Sequence, residues 1–478
     1  MGGFLQADSL TFRYGCKGKE VFRNLSFSVS KGEAALLMGA SGSGKSTLAY
    51  CLAGLYPEYG GEMEGTVLAG GKPVSDYGPA GRAKVVSILF QNPDSQFCMD
   101  IVENEVLFAL ENINYQGNLR KRAAELLSLT GLSGKGRCKI TTLSGGMKQK
   151  LALCTALATE AEALVLDEPF ANLDPFSSAS LSRLLGNLKR NGLTLFIVDH
   201  RADWWLPFLD RVLLMEKEGD LTAIRPEDLG SYAEEFRKRG IFLGPDWLSG
   251  FKPHKAADDA ETFVEAKDLC LYHGRKLFLS GLSFQVRKGS ITALLGSSGS
   301  GKTTLLSALA GTGRSTGCLH AGGPAGLVFQ NPRFQFLKTT VEEEVLFTLT
   351  GKMEDEKLKA EADALLSEFG LLELKDHSPY AISQGQQRRL ALLAMLAGNR
   401  PLLLLDEPTY AQDERSTRFI LKLLEKKVAE GLTVIMATHD LELAQAIADQ
   451  LLLLEDGRIR QLSGPEAMAM LDKARSAV

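Results

Sequence analysis

Two runs of glycine, lysine and hydroxyl residues carry the most specific chemical signal in this 478-residue chain. The pattern Gly-x-x-x-x-Gly-Lys-Ser/Thr after a buried strand forms a loop whose backbone N–H groups point at phosphate oxygens, and the next helix adds a favourable dipole. We expect the lysines to reach the β and γ phosphates and the residues after them to ligate Mg²⁺. A merely tight glycine turn is the alternative. The predicted loop residues are Gly39, Ser41, Gly42, Gly44, Lys45, Ser46 and Thr47, then Gly296, Ser298, Gly299, Gly301, Lys302, Thr303 and Thr304.

An Asp-Glu pair ends a hydrophobic run in each half. Asp167 and Asp406 stand where an unpaired carboxylate would be costly to bury, so they are expected to serve Mg²⁺. Glu168 and Glu407 follow directly and are predicted to polarise the water that attacks the γ phosphate. A helix-capping or salt-bridging glutamate is the alternative.

His200 and His439 each follow an apolar run, 32 residues after the glutamate of their half. This placement suits a γ-phosphate sensor, although a lone histidine at a strand end is more often structural. Tyr14 and Tyr272 could stack on adenine, and the alternative is an ordinary strand aromatic.

Ser144-Gly145-Gly146 opens a helical run over 147–158. A serine hydroxyl and unpaired N–H groups at a helix N-terminus can form a second anion site. The same three residues are also common as a plain helix cap, so the residues alone leave both interpretations open.

The motifs occur twice in one order. The offset between copies is 239 residues at the glutamine, serine, glutamate and histidine of the pairs Gln91/Gln330, Ser144/Ser383, Glu168/Glu407 and His200/His439. At the lysine it is 257, so the second copy lacks 18 residues between its phosphate loop and its glutamine. We expect that loss to shorten an antiparallel lobe.

Short apolar runs lead into the Gly-rich loops and into the Asp-Glu pairs, as strands buried on both faces of a parallel sheet do. Helical patterns between them complete an α/β alternation. The predicted strands include 34–38, 164–166, 291–295 and 402–405, and the predicted helices include 181–188 and 419–428. The repeat predicts domains at 1–248 and 261–478 joined by a linker at 249–260, for which an ordered surface loop is the alternative.

Composition restricts the function classes. Hydrophobic residues make up 45% and charged residues 23%, and a net charge of -4 gives no electrostatic case for nucleic acid as the main partner. The seven cysteines form no Cys-x-x-Cys pair, which argues against zinc, iron–sulfur or disulfide frameworks and favours the cytosol. We expect neither a membrane anchor nor a signal peptide, so a membrane role would require a partner.

The order of the motifs resembles that of ABC transporter ATPases, across nearly all of both halves. The resemblance implies an α/β fold of tandem P-loop NTPase (ABC ATPase) domains, each with a largely parallel sheet core, an antiparallel β lobe and a helical subdomain. In that family ATP lies head to tail between two domains, so the signature of one faces the γ phosphate held by the other. The residues it adds are Gln91 and Gln330 at Mg²⁺ and water, Ser144, Gly145, Gly146, Ser383 and Gly385 in the signatures, and Asp174 and Asp413.

A narrower likeness lies in the segment 90–108 and its echo at 329–347. It resembles energy-coupling-factor importers, whose paired ATPases drive uptake of vitamins, their precursors, or cobalt and nickel ions. This implies ATP and Mg²⁺ as cofactors, a peripheral place on the cytoplasmic face of the membrane, and two partners: a transmembrane coupling protein and a substrate-binding membrane protein. Trp204 and Trp205 could contact such a partner, or simply pack.

Two signature positions depart from the family pattern. Gln384 stands where the family has glycine, and Met147 where glutamine is usual. A side chain at residue 384 should crowd the phosphate contact. We therefore predict unequal sites, with the phosphate loop of the second half as the stronger one.

Two other functions compete with this interpretation. One is a sugar importer with two ATPase copies, and the other is a tandem ATPase acting on ribosomes or nucleic acid. The second class usually carries a basic helical arm or a cysteine-rich domain, whereas the interval 201–261 mixes both signs of charge. No nucleic-acid partner is expected.

Overall fold

Strands with apolar side chains on both faces build a sheet in each half of the computed structural model. The model describes the chain except residues 1–2, 16–17, 41, 171–172, 217–218, 239–240, 242–247, 249, 254–259, 298, 351–355, 410–411, 413 and 476–478. The chain divides into two units, one built mainly on residues 1–247 and the other mainly on 248–473. The boundaries of the predicted linker stay a prediction, because most of 249–260 lies outside the described residues.

The first unit combines two sheets with helices. Its strands are β1 (Leu5–Arg13), β2 (Glu20–Val29), β3 (Ala34–Gly39), β4 (Glu62–Ala69), β5 (Lys72–Pro73), β6 (Val86–Leu89), β7 (Ala163–Asp167), β8 (Thr194–Val198), β9 (Arg211–Met215) and β10 (Leu221–Ile224). Its helices are α1 (Lys45–Leu52), α2 (Pro79–Val85), α3 (Val102–Asn112), α4 (Leu119–Leu129), α5 (Gly145–Ala158), α6 (Pro175–Arg190) and α7 (Ala233–Lys238).

The second unit repeats this plan. Its strands are β11 (Thr262–His273), β12 (Lys276–Arg287), β13 (Ile291–Leu295), β14 (Ser315–Ala321), β15 (Ala325–Val328), β16 (Leu402–Asp406), β17 (Thr433–Thr438), β18 (Gln450–Glu455) and β19 (Arg458–Leu462). Its helices are α8 (Lys302–Leu309), α9 (Val341–Thr350), α10 (Glu356–Glu368), α11 (Gln384–Ala397), α12 (Glu414–Ala429), α13 (Leu441–Ile447) and α14 (Gly464–Arg475).

The large sheets are parallel except at one edge. Their strand orders are β10-β9-β3-β8-β7-β6 and β15-β16-β17-β13-β18-β19, with the antiparallel edge strands β10 and β19. The strands of their centres are completely buried, as a sheet covered on both faces requires. Every strand and helix that the sequence predicts is present, so the predicted α/β fold is confirmed.

The antiparallel lobes differ in size. The first is a four-stranded sheet, β2-β1-β4-β5, and the second has three strands, β12-β11-β14. Between β4 and β6 the first unit has β5, a 3-10 turn at Val74–Asp76 and α2, whereas β14 and β15 of the second unit are only a few residues apart. The expected shortening of the second lobe is confirmed.

Helices form a separate layer in each unit. In the first, α3, α4 and α5 bury a cluster that includes Val106, Leu126 and Leu151. The α5 helix then leads through a short turn into β7. The signature segment and the Asp-Glu pair are therefore positioned by consecutive elements of the chain.

Parallel strands whose carboxyl ends meet at one edge position the site residues. Asp167 is paired with Val198, and Leu37 is paired with the same valine from the other side. In the second unit, Asp406 is paired with Ala437 and Leu295 with Thr438, both at the end of β17. Ligands of open α/β sheets bind at this edge. No helix in the described ranges is long and apolar enough to cross a membrane.

Candidate nucleotide-binding sites

The phosphate loop of the first unit joins β3 to α1. Gly42 and Gly44 have φ values of +77° and +97°, which L side chains rarely adopt. A Cβ on Gly44 would lie 2.6 Å from a methyl group of Val21. The buried Lys45 folds back over the loop, where its Nζ donates to the carbonyl oxygens of Gly39 and Ala40 at 2.8 and 2.9 Å. The ammonium group therefore stands inside the loop, where an incoming phosphate would meet it.

The second loop joins β13 to α8 with the same geometry. Gly299 and Gly301 have φ values of +83° and +111°. Nζ of Lys302 donates to the carbonyl oxygens of Gly296 and Ser297 at 2.7 and 3.2 Å. Both loops therefore present a buried cation behind glycine turns.

Each loop contains a buried serine hydroxyl, that of Ser43 or of Ser300. Oγ of Ser43 and Oγ of Ser300 are buried, and neither has a hydrogen-bond partner within the described parts of the chain. Buried polar atoms are normally satisfied, so an orphaned donor points to an acceptor that a ligand supplies. Phosphate oxygens fit this need. Ser41 and Ser298, which the sequence also predicts as contacts, lie outside the described residues.

Each metal-type aspartate contacts the hydroxyl residue that follows the lysine. Oγ of Ser46 donates to Asp167 at 3.1 Å, and Oγ1 of Thr303 donates to Asp406 at 2.8 Å. Burial raises the pKa of Asp167 to about 7, helped by the charge of Glu168, and burial raises the pKa of Asp406 to about 6.

These side chains fit Mg²⁺. The second carboxylate oxygen of Asp167 is buried and has no partner among the described residues. A cation beside it would satisfy that oxygen and favour the ionised carboxylate. No cluster of three or more His, Cys, Asp or Glu side chains suited to a metal occurs in the described ranges. A hydroxyl, an amide and a carboxylate, completed by water and phosphate oxygens, instead suit a magnesium ion.

Glutamate and histidine form a close pair in each unit. A ring nitrogen of His200 lies 2.9 Å from Oε1 of Glu168, and one of His439 lies 3.0 Å from Oε1 of Glu407. Burial alone would raise the pKa of each glutamate, but the charge of and hydrogen bond from its histidine lower it. The pair keeps the carboxylate ionised, as a group that polarises water must be.

Both glutamates have the same unusual backbone. Glu168 and Glu407 each have φ of +48°, in the left-handed region. Their N–H groups donate to the carbonyl oxygens of Val198 and Ala437 at 2.8 and 2.9 Å. Strained backbone of this kind persists only where neighbouring structure holds it, and it is frequent at functional sites.

The two glutamines of the motif differ in their contacts. Nε2 of Gln91 donates to Oε2 of Glu168 at 2.7 Å. Within the described residues no such bond joins Gln330 to Glu407. The first site thus holds its glutamine on the glutamate, and the second does not.

The tyrosines also differ. The hydroxyl of Tyr14 lies 2.7 Å from Oγ1 of Thr47 in α1, so this ring stands beside the phosphate loop. The hydroxyl of Tyr272 lies 3.3 Å from Oγ1 of Thr316. The guanidinium of Arg314 lies 5.3 Å from the centre of the Tyr272 ring. One face of Tyr272 is therefore covered by a cation. Its stacking on adenine stays a prediction, as does that of Tyr14.

Both signature serines cap their helix. Ser144 accepts a hydrogen bond from the N–H of Met147 at 3.3 Å, and Ser383 accepts one from Gln386 at 3.4 Å. The side chain of Gln386 in turn accepts a hydrogen bond from the N–H of Ser383 at 2.8 Å, which completes a capping box. Met147, at the same position of the first unit, has no side-chain oxygen and cannot form this box. Gly145, Gly146 and Gly385 lie in the first turns, and Gln384 is exposed. A role of these segments at a phosphate stays a prediction.

Two further sequence expectations have definite places. Asp174 caps α6, accepting from the N–H groups of Phe176 and Ser177 at 3.1 and 3.0 Å, whereas Asp413 lies outside the described residues. Trp205 is buried in the core, which favours packing over partner contact. Its indole donates to Asp199 at 3.0 Å, and Asp199 also accepts from the N–H of His200 at 2.7 Å.

Sequence reasoning missed several side chains that shape the sites. Asp199 is one, because nothing marks it except its place beside His200. Glu105 and Glu344 are others: each is buried and accepts two backbone N–H groups of the segment after the glutamine loop. Their shared offset of 239 residues was a usable signal.

A model of the family described as ABC transporter matches residues 22–171 and 279–410. The chain belongs to the ABC transporter family. Members of the family bind and hydrolyse ATP, and both matched stretches belong to it, so the chain is a tandem ABC ATPase. The predicted ATP hydrolase is confirmed at this level.

Relatives along the full chain agree. One is "Putative HMP/thiamine import ATP-binding protein YkoD" of Bacillus subtilis (strain 168), 38% identical, with 95% of this chain and 90% of the relative covered. Another, from Methanosarcina acetivorans, is named "Putative ABC transporter ATP-binding protein" and is 33% identical over 97% of this chain and 86% of its own length. A solved structure titled "RNase-L Inhibitor" has a TM-score of 0.67 and 22% identity, with 98% of this chain and 93% of that chain covered, which shows the shared fold alone.

Proposed function

We propose that the chain is the ATP-hydrolysing subunit of a membrane importer of the energy-coupling-factor type. Its cargo would be a small molecule such as a vitamin or vitamin precursor, or a metal ion. The observation that carries the proposal is the likeness over 95% of the chain to a protein named for import of HMP or thiamine. In this role the chain lies on the cytoplasmic face of the membrane, bound to membrane subunits.

The side chains described above suit this work. Lys45 and Lys302 would bind the β and γ phosphates. Mg²⁺, when bound, would neutralise charge on those phosphates, and Ser46, Gln91 and Asp167, or Thr303, Gln330 and Asp406, would hold it. Glu168 and Glu407 would orient the attacking water, and His200 and His439 would keep them ionised. As part of the proposal, the signature of each half serves the nucleotide of the other.

An exposed apolar patch in the second unit supports a protein partner. It consists of Phe334, Leu337 and Tyr380, whose side chains are 78%, 71% and 49% exposed. The hydroxyl of Tyr380 donates to the carbonyl oxygen of Phe336 at 3.1 Å, which places it over the same segment. The corresponding positions of the first unit hold Ser95, Cys98 and Thr141.

This patch begins four residues after Gln330, so a partner bound there would touch the loop that senses the nucleotide. Exposed large apolar side chains in a cluster mark interaction sites. An apolar cytoplasmic segment of a membrane subunit is the occupant we propose. The Phe334→Ser/Leu337→Ser chain should lose about tenfold or more of its association with co-expressed membrane partners, since central aromatic anchors dominate interface energy.

The measurement is the amount of chain recovered with solubilised membranes, together with identification of the polypeptides that come with it. Met468→Ser is the matched control, because Met468 is exposed on α14 of the same unit and lies outside the patch. Small hydrophobic subunits are the expected companions. Ribosomal proteins as companions, or equal recovery of the patch variant and the wild type, would contradict the proposal.

A further inference from the structure

Arg388 on α11 is a buried cation that the roles given above leave unexplained. Its side chain is 1% exposed. Its Nη2 donates to the carbonyl oxygen of Gln330 at 2.7 Å, and its Nη1 donates to the carbonyl oxygen of Glu407. Burial of a guanidinium is costly unless its N–H groups find acceptors. Two of its acceptors are these backbone oxygens, which one planar group joins to each other.

Those oxygens belong to the two residues of the second site that would act on water and Mg²⁺. Gln330 follows β15 and Glu407 follows β16, and these strands are parallel neighbours, with Val328 paired to Leu405. Glu407 has the left-handed backbone described above. Because a guanidinium is rigid and forked, its two bonds fix the separation of the two chain segments.

The first unit has a different arrangement at the same place. Gln149 stands 239 residues before Arg388, and each is the fifth residue after its signature serine. Gln149 is also 1% exposed, but its Oε1 and Nε2 have no hydrogen-bond partner within the described residues. In that unit a side-chain bond, from Gln91 to Glu168, joins the glutamine loop to the glutamate.

We propose that Arg388 is a positioning residue of the second ATP site. It fastens the glutamine loop to the glutamate through their backbones, so the side chain of Gln330 stays available for Mg²⁺ and water. In the first site the glutamine loop is instead joined to the glutamate by a side-chain bond, from Nε2 of Gln91 to Glu168. The two sites therefore connect these residues in different ways, one through their backbones and one through their side chains. The inference rests on the assignment of Gln330 and Glu407 to an ATP site.

The test compares Arg388→Gln, Arg388→Lys and Arg400→Gln in the full chain. Glutamine fits this position, as Gln149 of the first unit shows, so the variant is expected to fold. Arg400 is the matched control, because it donates to the backbone oxygen of Ala325 at 2.9 Å, which begins β15, whereas Arg388 donates to Gln330, which follows the end of that strand.

Turnover is measured in chains that also carry Glu168→Gln, so that the second site works alone. Arg388→Gln is expected to lower kcat about tenfold and to leave KM for ATP within about twofold, because misplacement of catalytic groups affects the chemical step more than binding. Arg388→Lys keeps a charge and three donors, and it should recover a large part of kcat. Arg400→Gln should leave kcat within about twofold of its parent.

Hydrogen exchange without nucleotide gives a readout independent of turnover. Amides of 326–332 and 403–408 should exchange faster in Arg388→Gln than in the parent chain and the Arg400→Gln control. Unchanged exchange, or a fall in kcat that Arg400→Gln reproduces, would overturn the role of Arg388. If Glu168→Gln alone abolishes turnover, the proposal that the second site hydrolyses ATP by itself is contradicted instead. In that case the hydrogen-exchange measurement alone decides the role of Arg388.

Discussion

Replacement of Glu407 by glutamine is expected to lower ATP turnover of the full chain about 100-fold, because the amide keeps the shape of the side chain but cannot polarise water. Replacement of Glu168 by glutamine is expected to lower it by less than about fivefold. The difference arises because Gln384 stands in the signature that would serve the first site, and because Arg388 supports only the second.

Steady-state phosphate release from the purified chain, with and without its membrane partners, checks this expectation. Glu373→Gln is a control at an exposed acidic residue in the 3-10 turn Leu372–Leu374 of the second unit, and it should change turnover by less than about twofold. Equal losses in Glu407→Gln and Glu168→Gln would remove the idea of unequal sites. Melting temperatures of all three variants show whether a loss reflects chemistry or folding.

Replacement of Lys302 by alanine is expected to weaken ATP binding at the second site about 100-fold, because it removes a buried charge that would pair with phosphate oxygens. The same substitution at Lys45 should weaken the first site to a similar degree. Two carbonyl oxygens of the same loop accept hydrogen bonds from each lysine, which hold its ammonium group at the loop. Preorganisation of this kind favours a large loss on truncation.

Calorimetric titration with a nonhydrolysable ATP analogue resolves the two sites in the single variants. Lys276→Ala is the matched control, since Lys276 begins β12 of the second unit and is exposed. Two classes of site in the wild type, one lost in each variant, are expected. Retention of two tight sites in Lys302→Ala would contradict the assignment of that loop to a phosphate.

The elements and the loop chemistry were predictable because they depend on local pattern. The run Ile291–Leu295 is apolar on both faces and ends at a glycine, which suffices for a buried strand and a turn. The burial of Asp167 and Asp406 was predictable for the same reason, since each ends an apolar run, whereas their role at Mg²⁺ stays a prediction. The smaller lobe of the second unit was also predictable, because the absence of 18 residues removes whole secondary-structure elements.

The contacts that distinguish the two sites could not be predicted. Arg388 meets carbonyl oxygens 58 and 19 residues away in the chain, and only packing of α11 on the sheet brings them together. The bond from Gln91 to Glu168 likewise spans 77 residues. The position of Arg314 over the ring of Tyr272 depends on how β11 and β14 pair. Spacing shows which residues repeat, but not which partner each finds.

The indole of Trp205 has a practical consequence. All three tryptophans, Trp204, Trp205 and Trp247, belong to the first half of the chain, and Trp205 bonds to the aspartate that also holds the backbone of His200. Threonine stands at the matching place before His439. Tryptophan emission of the unlabelled chain, excited at wavelengths that tyrosine does not absorb, therefore originates in the first half only, so a spectroscopist can follow that half without a dye and without a signal from the loop of His439.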